Sequence, residues 1–354
     1  MTKIKVSIAG VGNFASAFVQ GVYYYKQENN DGLGLIYENI GQYTVDDIEI
    51  VAAFDVLKGK VNNDLAKAIF APPNNTLKLL DLKDTDIIVK KGKQLDGLSL
   101  KMQKMLDIDD SSTDDDVIQT LKDSGTEILI IMIPSGAPEA TKWYADCALK
   151  AGCALINVTP TAITCDPEYV NKFLGAGLPV VGDDLMNQIG STILHKSILQ
   201  ILTDRGIKIN ESYCLDVGGG NESLNALERA RKIKRYYKTE AVKSQLPFDF
   251  PLVAGSTDFV DFLENTRDSF FWIFGTMFGK SPIKIDIRLS TVDSPNGFAI
   301  LVDIIRGVKL ALDRKISGPL ESLSAYGFKS PPKKTTIQES RIWLEDFIAE
   351  RRNK

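Results

Sequence analysis

The run Ile8-Ala9-Gly10-Val11-Gly12-Asn13-Phe14-Ala15 has the residue types and spacing of a turn that cradles phosphates. Gly10 permits a tight turn off a strand, Gly12 lets the backbone approach a pyrophosphate, and Ala15 allows close helix–strand packing. The phosphates would then meet the N–H groups and positive end of the helix that follows. A dinucleotide also needs an acid for its ribose diol, and Asp55 ends the next apolar run, IEIVAAFD. The usual interval to that acid is about 20 residues. Here it is 45 (55 − 10), and a polar excursion over 27–47 accounts for the excess. A carboxylate at this place favours NAD, because the 2′-phosphate of NADP would meet a like charge.

A second concentration of reactive groups lies at 223–246, where LERARKIKRYYKTEAVK sets Lys234 and Lys238 four residues apart, on one face of a helix. Such a face can serve a site, be merely solvated, or bind nucleic acid, and spacing leaves these readings open. The acidic run DIDDSSTDDD at 107–116 reads as a solvated loop capping the helix VIQTLKDSG. A metal site is the sharper alternative, but EF-hand spacing is missing. The sole histidine, His195, falls inside the helical pattern STILHKSILQIL and reads as structural. Cys147, Cys153, Cys165 and Cys214 show no C-x-x-C spacing, which favours reduced cytoplasmic thiols over zinc or a redox pair.

The elements that must position these groups alternate. Near-continuous apolar strands at 4–9, 48–54, 128–133 and 153–158, and LPVVG, are interleaved with helices that begin at 14–25. That pattern predicts a parallel sheet covered on both faces. After about residue 210 the strands YCLDVGGG, SFFWIFGTMFG and IKIDIRLSTVD alternate more strongly, as in an antiparallel sheet open on one side. Residues 297–313 read as a long buried helix and 335–351 as an amphipathic one. The expected class is α/β, a doubly wound Rossmann-type sheet interrupted by a second α+β domain with a mainly antiparallel sheet. The expected division is a cofactor domain over 1–200, a catalytic and oligomerisation domain over 201–296, and helices over 297–354 packing back on the first. A chain of 354 residues has room for this. Its net charge of −4 argues against wholesale binding of nucleic acid or an anionic membrane. No apolar run approaches the roughly 20 residues of a bilayer span. The N-terminal apolar stretch ends at Gly10 without a cleavage site and reads as a strand, not a signal peptide.

GVGNFASAFVQG, VAAFD, NNT at 74–76, VVGDD at 180–184, VGGGNESLN at 217–225, DSPN at 293–296 and SAYGFKSPP at 324–332 occur in this order. Together they resemble the myo-inositol-1-phosphate synthases, especially the shorter prokaryotic and archaeal members. The resemblance spans nearly the whole chain. It implies conversion of glucose 6-phosphate to inositol phosphate, with NAD reduced and reoxidised in one cycle, by a cytoplasmic homotetramer whose second domain carries substrate contacts and subunit interfaces. It leaves open whether a divalent or monovalent cation assists.

The resemblance also implies residue roles. Lys234, Lys238 and Lys329 match catalytic lysines of the family, and Asp293 its aspartate in the D-S-P segment. Asn221, Asn225, Ser191 and Asp184 fall on the substrate side. On the cofactor side stand Gly10, Gly12, Asn13, Phe14, Ala15 and Asp55. Asn74, Asn75, Pro134, Ser135, Gly136, Thr159 and again Asp184 join them there. The chemistry creates enolate and alkoxide charge, which fixed cations stabilise. Crowded lysines suit this and proton transfer alike, because mutual repulsion lowers their pKa values. Three positions depart from the family pattern: Arg267 stands where a further catalytic lysine is expected, Met186 where a lysine often follows G-D-D, and Gly220 with Glu222 where asparagine and aspartate are usual. Arginine keeps the charge and can grip a phosphate but cannot act as a base. These departures support an alternative, an NAD enzyme that oxidises or epimerises another phosphorylated polyol without closing a ring. A third reading, a non-catalytic protein presenting its basic helix outward, places Lys234 and Lys238 in solvent, far from Gly12 and Asp184.

Overall fold

The computed structural model describes residues 3–27, 30–98, 106–109 and 115–354. The capping and metal readings of the acidic run rest largely on 110–114, outside the described residues. Eleven strands are described: β1 (Ile4–Ala9), β2 (Ile48–Asp55), β3 (Lys90–Lys91), β4 (Ile128–Ile131), β5 (Ala154–Asn157), β6 (Pro179–Val181), β7 (Lys208–Gly218), β8 (Leu252–Phe259), β9 (Thr266–Thr276), β10 (Pro282–Val292) and β11 (Gly318–Pro319).

The first sheet runs β11-β6-β5-β4-β1-β2-β3, and every neighbouring pair is parallel. β4 and β5 are buried along their whole length, because helices cover both faces. Ile4, Val6 and Ile8 of β1 pack on Phe18 and Val19 of the Asn13–Tyr25 helix and on the Phe298–Asp313 helix. On the opposite face Leu129, Ile131 and Leu155 meet Leu121, Tyr144, Ala148 and Phe173. The contact between the first and the C-terminal segments is close. A Cβ added at Gly21 would lie 2.3 Å from the ring of Phe298. Strand order reverses at β1, between β4 and β2, and the carboxyl ends of strands around such a switch point form a ligand crevice.

The second sheet runs β10-β9-β7-β8, with β9 antiparallel to both neighbours and β8 parallel to β7. It is therefore mixed, with antiparallel pairs in the majority. β8, LVAGSTDF, has no counterpart in the sequence reading, since its glycine, serine and aspartate weaken the strand signal. The basic helix expected over 223–246 is divided into an α-turn (Asn221–Asn225), a π-helical turn (Ala226–Ala230) and a helix (Arg231–Lys243). π-turns are rare and concentrate at functional sites.

The Ser191–Asp204 helix packs beneath the second sheet through Leu199 and Leu202. His195 is buried there, its Nε2 2.7 Å from the Ser212 hydroxyl, and burial lowers its pKa to about 3, so it stays neutral. Beside it Lys196 is 5% exposed and donates to the Thr335 carbonyl at 2.9 Å. Burial pushes its pKa down to about 8, against the opposing pull of Glu339. Between pH 8 and the ordinary lysine value the unfolded chain binds more protons at this residue than the folded one, so its contribution to stability rises with pH. Below that window the folded state bears the full cost of a buried charge. Lys196→Met is thus expected to flatten the rise of Tm between pH 7.5 and 10, measured by thermal melts, and an unchanged slope would contradict this account.

Candidate active site

The glycine turn sits at the switch point. Gly10 has φ +97°, donates to the Phe54 carbonyl at 2.8 Å, and a Cβ there would lie 2.8 Å from the Met132 carbonyl oxygen. At Gly12, by contrast, an added Cβ meets nothing within 4 Å, and the helix it caps has no side-chain cap. The open space and the uncapped helix end fit a pyrophosphate. Ala15 is buried under the turn. Asp55 accepts from the backbone N–H of Val11, Val56 and Leu57 at 2.8, 2.7 and 3.0 Å. Asn13 and Asn75 bond reciprocally, at 2.7 and 2.8 Å, which closes the loop at 73–75 over the start of the helix.

A cleft of about 330 Å³ begins at this turn and ends at the second sheet. Lys329, which follows β11 in the sequence, donates to Asp184 Oδ1 at 2.9 Å and to the Leu185 carbonyl at 2.7 Å. Lys234 donates to Glu222 Oε1 at 2.9 Å and Ser135 Oγ at 3.1 Å, and lies 4.0 Å from Asp184. Glu222 also accepts from the hydroxyl and the N–H of Ser135. One turn further along the helix, Lys238 is ion-paired with Asp216, which receives Ser191 Oγ at 3.2 Å and Ser269 Oγ at 2.8 Å. Arg267, on the adjacent β9, lies 3.8 Å from Asp216 and pairs with Asp293 at 2.5 Å. Asn187 Nδ2 donates to the other oxygen of Asp293 at 3.3 Å.

Four cations therefore face four carboxylates, Asp184, Asp216, Glu222 and Asp293. For Lys234 this corrects the expectation that crowded lysines depress one another toward neutrality. Burial opposes the charge of Lys234, but Glu222 and then Asp184 outweigh it and hold its pKa above the ordinary lysine value. Lys329 is pushed below that value, by burial first, with Lys234 adding repulsion against the pull of Asp184. Burial likewise works against ionised Asp184, Asp216 and Asp293, yet Lys329, Lys238 and Arg267 respectively prevail and keep each below the usual carboxylate range. Among the described residues, two buried polar atoms of cleft-lining residues have no hydrogen-bond partner, Asp184 Oδ2 and the Thr192 hydroxyl. Such buried atoms are rare in native structures.

The profile of the family described as Myo-inositol-1-phosphate synthase matches residues 190–294. Over 356 residues the chain is 41% identical to the inositol-3-phosphate synthase of Mycolicibacterium smegmatis, covering 98% of each. It is 40% identical to that of Corynebacterium glutamicum, again covering 98% of each. The chain belongs to the inositol-3-phosphate synthase family. A solved inositol-3-phosphate synthase from Caenorhabditis elegans shares the fold, with a TM-score of 0.78 over 98% of this chain and 85% of that one, at 13% identity.

As a member of that family, the chain brings to one cleft the lysines 234, 238 and 329, with Arg267, Asp293, Asp184, Ser191, Asn221 and Asn225. Gly10, Gly12, Asn13, Phe14, Asp55, Asn74, Pro134, Ser135 and Thr159 line it too. Ala15, Asn75 and Gly136 do not; Gly136 is packed against Arg229, whose Cβ would lie 2.5 Å from an added one. Asn225 is buried and donates to the Gly97 carbonyl at 2.7 Å. Lys238 is 6% exposed, so the basic helix does not present this face to solvent. Of the departures, Met186 is buried with its N–H on the Gly327 carbonyl, and Gly220 caps the 221–225 turn with room for a side chain. Asp216 was missed as a site residue. The signal was an acid inside the apolar strand of YCLDVGGG, since buried carboxylates are rare unless paired. Among the described residues no group of three or more His, Cys, Asp or Glu stands where it could hold a metal ion.

Proposed function

We propose that this protein converts D-glucose 6-phosphate to 1D-myo-inositol 3-phosphate, with NAD reduced and reoxidised within each turnover. The observation that carries the reading is the convergence of Lys234, Lys238 and Lys329 on the cleft that starts at Gly10 and Gly12, in a chain with named relatives along nearly its whole length. Gly10, Gly12 and Asp55 would hold NAD, which would supply a reversible hydride acceptor for the C5 carbinol. Lys329, whose pKa burial lowers from the ordinary lysine value, is assigned the C5 hydroxyl proton. Lys234, held as an ammonium by Glu222 and Asp184, stabilises the enolate oxygen and then the C1 oxyanion. Asp184 holds Lys329 at the sugar end of the cleft, and Asn221 and Asn225 border the ring. The phosphate lies at the start of the Ser191–Asp204 helix, against Ser191, Thr192, Lys238 and Arg267. Its dianion stays near C6, where it assists proton removal.

The test is mass-spectrometric identification of product after incubating the protein with glucose 6-phosphate and NAD, alongside NADH absorbance. Inositol phosphate without net NADH is the expected result. Accumulating NADH with an open-chain ketone product would establish the non-cyclising alternative, to which Arg267 and Gly220 lend support.

The same reading treats 1–200 as the cofactor unit, 201–296 as the catalytic and assembly unit and 297–354 as helices closing on the first. It makes the protein a homotetramer. An apolar ladder on the second sheet supports this: Tyr213 stacks on Trp272 at 5.6 Å and Trp272 on Phe274 at 6.2 Å, with Phe270 exposed beside them. Such a face on one chain marks an interface. A cytoplasmic setting agrees with four cysteines of which none is in a disulfide. Among the described residues no helix is long and apolar enough to cross a membrane.

A further inference from the structure

Lys60 is 1% exposed. Its Nζ donates to the Val11 carbonyl at 2.6 Å and to Asn74 Oδ1 at 2.9 Å. Asn74 Nδ2 donates to the same Val11 carbonyl at 3.0 Å, so both lone pairs of that oxygen are engaged. The Val11 N–H is held at the other end by Asp55 Oδ2 at 2.8 Å. The central residue of the glycine turn is thus gripped from behind on both sides.

The choice of lysine for this position is costly. Its nearest carboxylate oxygen, Asp55 Oδ2, is 3.9 Å away, outside hydrogen-bond reach, and is already bonded to a backbone N–H. Burial holds the Lys60 pKa below the ordinary value, with Asp55 opposing. A neutral amide side chain would satisfy two neutral acceptors at far lower desolvation cost. The charge therefore serves something beyond the hydrogen bonds.

We propose that Lys60 is a positioning residue for the cofactor, a buried cation that acts on the pyrophosphate through the Val11–Gly12 peptide. The peptide is planar and trans, so the Gly12 N–H points opposite to the carbonyl that Lys60 holds. Beside that peptide the face of Gly12 is open, since an added Cβ meets nothing within 4 Å, which leaves room for a ligand at the turn. A cation on the oxygen fixes the plane, polarises the N–H and adds to the positive end of the helix. Lys60 borders the same cleft, but at 1% exposure its Nζ is committed to the Val11 carbonyl and Asn74.

This inference rests on the NAD reading, and the test separates the two. Wild type, Lys60→Met and Lys60→Gln are titrated calorimetrically with NAD and with ADP, and adenosine is measured by its displacement of NAD. Loss of a charge-assisted contact predicts about tenfold weaker binding of NAD and ADP by Lys60→Met, with adenosine changed by less than about twofold. Lys60→Gln, which keeps a donor without the charge, recovers thermal stability but not affinity for the two pyrophosphate ligands. Equal losses for all three ligands, or wild-type affinity for NAD and ADP in the Gln variant, would overturn the inference and leave the cofactor reading standing. Wild type that binds no NAD would overturn both. If the Met variant does not fold, the Gln variant decides alone.

Discussion

Replacing Lys234 by Met is expected to lower kcat by about a thousandfold or more while NAD affinity stays within about threefold of wild type. The ammonium at this position is held by Glu222 and Asp184 and sits beside Ser135. It is the fixed cation nearest to both the cofactor-side loop and the Lys329–Asp184 pair, where the proposed enolate forms. Methionine keeps the length and apolar stem but supplies no charge to a developing oxyanion. The glycine turn and Asp55 are separate from the change, so cofactor binding persists. Single-turnover kinetics with NAD titration measures both quantities. Near wild-type turnover would remove Lys234 from the mechanism, and collapse of NAD affinity would make its role structural. Lys234→Arg gives a second check. It retains the charge but, with a planar, larger head group, is expected to recover only part of the rate.

The architecture was legible because each first-sheet strand is a short apolar run between helices, a pattern that only a sheet covered on both faces explains. The tight turn from β1 into the following helix was legible from Gly10 and Gly12. Less legible was how the lysines are tuned. Spacing placed Lys234 and Lys238 on one face of a helix, but their counter-charges come from β7, the 221–225 turn and the segment after β6, which no local pattern joins to that helix. Hence the repulsion argument failed for Lys234, and Asp216 went unnoticed. Lys60 was invisible for the same reason. In the sequence it is one lysine in VLKGKVNND, and only the fold brings it behind Val11. β8 was lost to weak propensity alone, since its pairing with β7 is decided by tertiary packing.

Asp216→Asn is expected to destabilise the protein and to make it bind inorganic phosphate more strongly than wild type does. The wild-type carboxylate is 3% exposed and receives Lys238, two serine hydroxyls and, at 3.8 Å, Arg267. An asparagine fits the space, and its NH₂ can face Ser269, whose hydroxyl can turn to accept. No such adjustment restores the charge. Lys238 then loses its ion pair while Arg267 keeps the one with Asp293, and leaving a buried charge without its partner typically costs about 3–5 kcal/mol. For a chain of this size that is a fall in Tm of about 4–7 °C. An added anion fills the vacated role, so phosphate raises the Tm of the variant more than that of wild type. The proposed phosphate of the substrate docks on the same two cations. A variant that binds that group too firmly, and can no longer distribute charge between Lys238 and Arg267, should show a lower KM together with a much lower kcat. Thermal melts with and without phosphate, followed by steady-state kinetics, test the chain of reasoning. A variant with unchanged Tm and the wild-type response to phosphate would mean that Asp216 does not govern these cations, and the phosphate end of the site would have to be sought elsewhere in the cleft.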